Sequence, residues 1–66
     1  MQVIVNGKPL AVSAGTSVAD LLTQLSLAGK RVAVECNGEI VPKSLHATRC
    51  LNEGDRLEIV VAVGGG

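Results

Sequence analysis

Only one stretch of this chain spaces its apolar residues as a helix does. Val18, Leu21, Leu22 and Leu25 recur at i, i+3, i+4 and i+7, while Ala19, Asp20, Thr23 and Gln24 fall elsewhere around the axis. Most other apolar segments alternate with period two, as strands do. One helix cannot cover both faces of a sheet. The simplest arrangement is a single sheet with the helix across one face, an α+β layer architecture. The core must be aliphatic, because the 66 residues include no Phe, Tyr or Trp. A chain this small lies near the lower limit for folding on one core.

The strands are bounded by turn signals. Met1 to Val5 alternates, with Met1, Val3 and Val5 on one face and Gln2, Ile4 and Asn6 on the other. Asn6-Gly7 is a two-residue hairpin signal, since both positions tolerate positive φ. Pro9 then belongs at a sheet edge or a strand start, and Leu10 to Ser13 is the returning strand. Ser17 with Asp20 three residues on resembles a capping box that opens the helix. Gly29 is its expected stop, with Lys30 and Arg31 near its negative end. Val32, Val34 and Cys36 share a face of the next strand, Asn37-Gly38 repeats the hairpin signal, and Glu39 to Val41 returns before Pro42. Pro42 to Thr48 suits a short helical turn with Leu45 inward. Asn52 to Asp55 is a tight turn, and Arg56 to Val63 is the last and most apolar strand. The expected core is Met1, Val3, Val5, the helix stripe, Val34, Leu57, Ile59 and Val61.

Charge and composition exclude several functions. Six Lys and Arg balance six Asp and Glu, with no clustered basic run and no ring for base stacking. That argues against nucleic-acid binding. The longest apolar run is Ile59 to Val63, far short of the roughly 20 residues a bilayer needs. The first residues lack the basic and apolar regions of a signal peptide, so a cytoplasmic location is expected. In that reducing compartment Cys36 and Cys50 are expected as buried free thiols rather than a disulfide.

Catalytic constellations are hard to assemble from these residues. His46 is the only histidine and falls in an expected surface turn, exposed or half-buried. Cys36, His46 and Cys50 match no usual zinc spacing, and no phosphate-binding glycine loop occurs. A domain this small is expected to leave no room for a sizeable pocket. The chain therefore reads as a non-enzyme without a metal or bound cofactor. Its informative feature is the run Val63-Gly64-Gly65-Gly66 after a strand that is apolar on both faces. Glycine has no Cβ and can enter a slot too narrow for other residues. Extended, these four residues reach roughly 13 Å at about 3.3 Å each. The organisation expected is a domain over 1–63 and a glycine tail over 64–66 that carries the α-carboxylate. Ordering glycines on a partner costs about 1–2 kcal/mol each in backbone entropy, so the body must supply binding energy. Ile4, Val60 and Ala62 are the candidate partner-binding patch, unless a loop covers them.

With those residues in place, the sequence resembles the ubiquitin-like β-grasp sulfur carriers, and most of all the thiamine-biosynthesis sulfur carrier family, ThiS. The likeness spans essentially the whole chain. It rests on Val3 to Gly7, Thr16 to Leu22, Val32 to Pro42, Leu51 to Val60 and the terminal glycines. The resemblance implies a mixed sheet of four to five strands with one main helix on one face. It also implies that a ThiF-like adenylyltransferase, using ATP and magnesium, converts Gly66 into an acyl-adenylate. Sulfur from a relay protein would then replace AMP to give a thiocarboxylate, and thiazole synthase, ThiG, would receive that sulfur. Gly64 and Gly65 would enter the partner's active site, and the carrier alone would be a monomer. The family pattern ends in two glycines and this chain in three, so Gly65 and Gly66 are taken as the matching pair. Other readings are the small sulfur-carrier subunit of molybdopterin synthase, a noncovalent β-grasp interaction module and a protein-conjugating modifier. The absence of proline from Val61-Ala62-Val63 favours the thiamine branch over the molybdopterin one.

Overall fold

The computed structural model describes residues 1–62. In chain order the elements are β1 (Gln2–Val5), β2 (Lys8–Ala11), α1 (Val18–Gln24), β3 (Val32–Cys36), β4 (Glu39–Ile40), a 3-10 turn (Lys43–Leu45) and β5 (Arg56–Val61). The strands make one sheet in the order β2-β1-β5-β3-β4. β1 and β5 are parallel, and the other pairings are antiparallel. This is the mixed sheet with one helix that the alternation and the single helical stripe require.

Both Asn-Gly dipeptides make the expected hairpins. Asn6 and Gly7 have φ of 49° and 82°, and Asn37 and Gly38 have φ of 53° and 84°. Positive φ at both central residues is the signature of the turn whose twist matches paired strands. The two asparagine side chains then reach sideways onto β5. Asn6 Nδ2 donates to Ile59 O at 3.0 Å, and its Oδ1 accepts from Ile59 N at 2.7 Å. Asn37 Oδ1 accepts from Arg56 N at 3.0 Å, while Asn37 N donates to Arg56 O at 2.7 Å. Each amide thus continues a strand ladder where the backbone of its own strand has turned away. Pro9 sits on β2, an edge strand, where its missing N–H leaves no gap. β2 begins at Lys8, two residues before the expected Leu10, because the turn is only two residues long.

The helix opens as expected and closes early. Ser17 Oγ accepts from Asp20 N at 3.0 Å, and Asp20 Oδ2 accepts from Ser17 N at 3.2 Å, a reciprocal capping box. The two N–H groups that the box leaves over, those of Val18 and Ala19, donate to Arg49 O and His46 O. The helix ends at Gln24, not near Gly29. Ser26 takes a left-handed φ of 61°, its N–H donates to Thr23 O, and Leu27 N donates to Leu22 O. That pair of bonds is a Schellman closure, with serine where glycine is usual. Lys30 and Arg31 therefore lie beyond the helix's last turn, which carries no basic residue.

The core holds Val3, Val12, Val18, Leu21, Leu22, Val34, Cys36, Val41, Leu51, Leu57 and Ile59. Met1, Val5 and Leu25 pack against it partly buried. Val61 is the one expected core residue among those described that is exposed, at 39%. β1 meets β5 only at Arg56 and Leu57, so the far end of β5 has lost that neighbour, and the short helix does not extend over it. Leu45 and His46 exchange the places expected of them. Leu45 is half exposed, and His46 is buried with its ring Nε2 3.0 Å from Val41 O. A carbonyl can only accept, so Nε2 carries the hydrogen. No helix among the described residues is long and apolar enough to cross a membrane.

The asparagine bridge gives a test with a sign. In Asn6→Asp the carboxylate can still accept from Ile59 N but has no hydrogen for Ile59 O. The variant should lose about 1–3 kcal/mol against the native chain in urea unfolding at pH 7. Protonation in the folded state restores the donor, so the folded pKa of the new acid is raised. Stability is then regained as pH falls through that value, and the deficit should shrink near pH 3.5. An equal deficit at both pH values would contradict the bridge.

Candidate functional site

Gly64, Gly65 and Gly66, singled out by sequence for modification and insertion, lie outside the described residues, as does Val63. What the structure describes is their mount. β5 is the middle strand, hydrogen-bonded to β1 on one side and β3 on the other. Asn6 holds it at Ile59, Asn37 at Arg56, and Ala62 N donates to Arg31 O at 2.9 Å. The chain is therefore fixed to the sheet up to the residue before Val63.

The sheet face turned away from the helix carries the second group of expected site residues, but not as one patch. Val60 is 62% exposed, and Ala62 is exposed beyond it. Ile4 is half-buried and stands opposite Arg56 and Pro9. Arg56 is four residues before Val60 on the same strand, about 13 Å at ~3.3 Å per residue. Neighbouring strands were expected to bring Ile4 to Val60. The strands are neighbours, but their parallel register separates the residues, with Arg56 and Glu58 between. The structure supplies other company. Ala33 is directly opposite Val60, and Ile40, 77% exposed, pairs with Glu35. Glu35 also faces Glu58 across β3 and β5, opposing two like charges on one face. Ile40 was legible as a strand residue next to a turn. Its exposure follows from β4 being only two residues long at the sheet edge.

On the helix side lies an open depression of about 550 Å³, contrary to the expectation that so small a domain leaves no pocket. Leu22, Leu27 and His46 contribute to its lining, and Lys30, Arg31 and Lys43 border it. It lies between α1, the segment that follows the helix as far as Val32, and the turn that carries Lys43 and His46. Among the described residues, no group of three or more His, Cys, Asp or Glu side chains gathers as a metal site requires.

The two cysteines are in unlike surroundings. Cys36 is buried and Cys50 exposed, so the expectation of two buried thiols fails for Cys50. Cys50 sits in a short bridge to Ser17 on the surface of the loop that feeds carbonyls to the helix start. Burial pushes the Cys36 thiol above its ordinary pKa, and the Asp55 carboxylate adds to the effect while Arg49 opposes it. Arg49 Nη2 donates to Cys36 Sγ at 3.5 Å. Asp55 is itself committed, with Oδ2 accepting from Asn52 N at 2.8 Å and Oδ1 from Asn37 Nδ2 at 3.1 Å. A buried, protonated thiol in such a network is a packing element, not a nucleophile. A thiol-specific chromogenic disulfide at pH 8 should therefore modify one cysteine rapidly, and Cys50→Ser should remove that phase. Cys36 should react only on unfolding, and two equally fast thiols would contradict this placement.

Comparison with known proteins covers the whole length. Residues 3–66 match the ThiS family. A thiazole synthase of Paramagnetospirillum magneticum is 47% identical over all 66 residues, which span only 20% of that protein's length. The sulfur carrier protein ThiS of Escherichia coli is 30% identical, with each chain covered completely. The crystal structure of a thiamine biosynthesis protein (ThiS) from Geobacter metallireducens superposes with a TM-score of 0.84 at 35% identity, again over the whole of both chains. By its residues, its sheet order and these relationships, the chain belongs to the ThiS family.

Proposed function

We propose that this chain is a sulfur carrier of thiamine biosynthesis, with Gly66 as the residue that is adenylated and then turned into a thiocarboxylate. The observation that carries the reading is the family match, which runs through the terminal glycines and not only through the folded body. Its relation to thiazole synthases, in which a segment like this chain makes up a fifth of the length, supports thiazole formation as the destination of the sulfur.

The chemistry follows from what a carboxylate lacks. It is anionic and has no leaving group. A ThiF-like partner using ATP and magnesium would supply both remedies. A Gly66 oxygen attacks the α-phosphorus, pyrophosphate leaves, and the acyl carbon now bears AMP. The terminal sulfur of a relay protein's persulfide attacks that carbon, the C–O bond breaks, and AMP departs. A thiol then reduces the resulting S–S bond, leaving sulfur on Gly66 and a disulfide on the donor side. Thiazole synthase would take this sulfur. Gly64 and Gly65 form the narrow approach, and the body contributes docking rather than catalysis, so the chain is a co-substrate and not an enzyme.

Intact-mass spectrometry after incubation with the adenylyltransferase, ATP, magnesium and a sulfur donor should show one terminal oxygen exchanged for sulfur. An unchanged mass with an active partner would overturn the reading. So would an added sulfur removable by dithiothreitol, which would place the cargo on Cys50.

The outer sheet face is the proposed docking patch, now centred on Val60 and Ala33 with Ile40 beyond the Glu35–Glu58 pair; Ile4 forms a separate contact. Val60→Asp should slow the mass change by about tenfold or more. Because Val60 is exposed, the same variant should unfold within about 0.5 kcal/mol of the native chain. Equal rates for variant and native chain would remove Val60 from the patch.

A further inference from the structure

The chain is formally neutral, yet three of its six basic residues border one depression. Lys30, Arg31 and Lys43 are exposed on its rim, and no Asp or Glu contributes to its lining. Two of the six acidic residues, Glu35 and Glu58, instead oppose each other on the outer sheet face. The neutral total therefore hides one surface at which positive charge stands without acidic neighbours in the lining. We propose that the depression bounded by Lys30, Arg31 and Lys43 docks an acidic segment of the enzyme that receives the tail. That the occupant is a tail-processing enzyme rests on the sulfur-carrier reading; the charge arrangement does not.

Two observations fix the occupant's chemistry and place. The first is the combination of rim and floor. Leu22 and Leu27 give the floor an apolar surface, while the cations stand at its edges. A segment with carboxylates flanking an apolar side chain matches both. A small anion would leave the floor unused and stay hydrated at the exposed rim. The second is position. Arg31 O holds Ala62 N at 2.9 Å, and Val32, the next residue, pairs with Val61. The rim therefore adjoins the point from which residues 63–66 continue. A partner that must admit those residues necessarily covers this edge.

The physical gain is orientation and encounter rate. Lys30 and Arg31 are neighbours in the chain and border the same depression as Lys43, so their fields add on a charge that comes within about one Debye length, ~8 Å at physiological salt. Such fields raise association rates by about 10-fold or more without lengthening residence. A carrier that docks, is modified and leaves gains from that combination.

Two arms test the proposal. In the first, the ¹⁵N-labelled chain is titrated with a hexaglutamate peptide, with ATP in a parallel titration. Hexaglutamate should shift the amide signals of Lys30, Arg31 and Lys43, and a Lys30→Glu/Arg31→Glu/Lys43→Glu variant should lose the response. Equal shifts at Lys8 and Arg56, or a response to ATP alone, would overturn it, the latter by assigning a phosphate site. In the second, the rate of the tail's mass change is compared at low and high salt. The triple variant should be about tenfold slower at low salt, reach the same end point, and match the native rate near 1 M salt. A milder Lys30→Gln/Lys43→Gln variant, with its amide spectrum otherwise unchanged, should fall between, and Lys8→Glu should match the native chain. Equal low-salt rates for all variants would overturn the proposal. Should the native chain show no mass change, the sulfur-carrier reading fails, and the hexaglutamate titration alone decides whether the surface binds acidic segments.

Discussion

The grip of two asparagine side chains on β5 is the constraint from which the rest of this structure follows. Asn6 and Asn37 each occupy the first position of a hairpin turn, where positive φ is required, and each spends its amide on the central strand. The turns and the strand pairing are therefore specified together. Shifting β5 by one residue would break the Ile59 bonds to Asn6 and the Arg56 bonds to Asn37 at once. It would also turn Leu57 and Ile59 out of the core. A two-residue β4 and a seven-residue helix can close so small a domain because the middle of the sheet is secured in this way.

The same constraint separates holding from chemistry. The described body contains an aliphatic core, a buried histidine locked to Val41 O and a buried thiol kept protonated. None of these is placed to react. The body holds β5 in register and ties Ala62 just beyond it to Arg31 O, and it offers two exposed surfaces, one with apolar and mixed-charge residues on the sheet, one basic beside the helix end. In the proposed sulfur-carrier role, group transfer at the glycines would ask of this body only docking and presentation. In the sulfur-carrier reading, the partner supplies the activation and this chain supplies a narrow acyl end on a fixed base.

Much of the fold was legible because the signals were local. Asn-Gly at 6–7 and 37–38, Ser17 with Asp20, and Pro9 at an edge each depend on neighbours within a few residues. The misreadings arise where a local signal was missing or where distant segments meet. Leu25-Ser26-Leu27 carries no helix-stop residue, and only the Schellman bonds show that Ser26 turns left-handed. Leu45 looks like core and His46 like surface until the backbone of His46 is seen supporting Ala19 at the helix start. Ile4 and Val60 read as one patch because strand adjacency was inferred without its register. Cys50 is apolar enough to suggest burial, but its loop lies along the helix start with that side chain outward. The basic depression had no sequence signal at all, since its cations come from two segments that only the fold brings to one surface.

The most direct test of the whole account is growth without added thiazole in cells whose own carrier gene is deleted. The native chain should restore growth. A chain extended by one alanine beyond Gly66, verified intact by mass spectrometry from the same cells, should not. Growth supported by the intact extended chain would contradict the assignment of sulfur transfer to the Gly66 carboxylate.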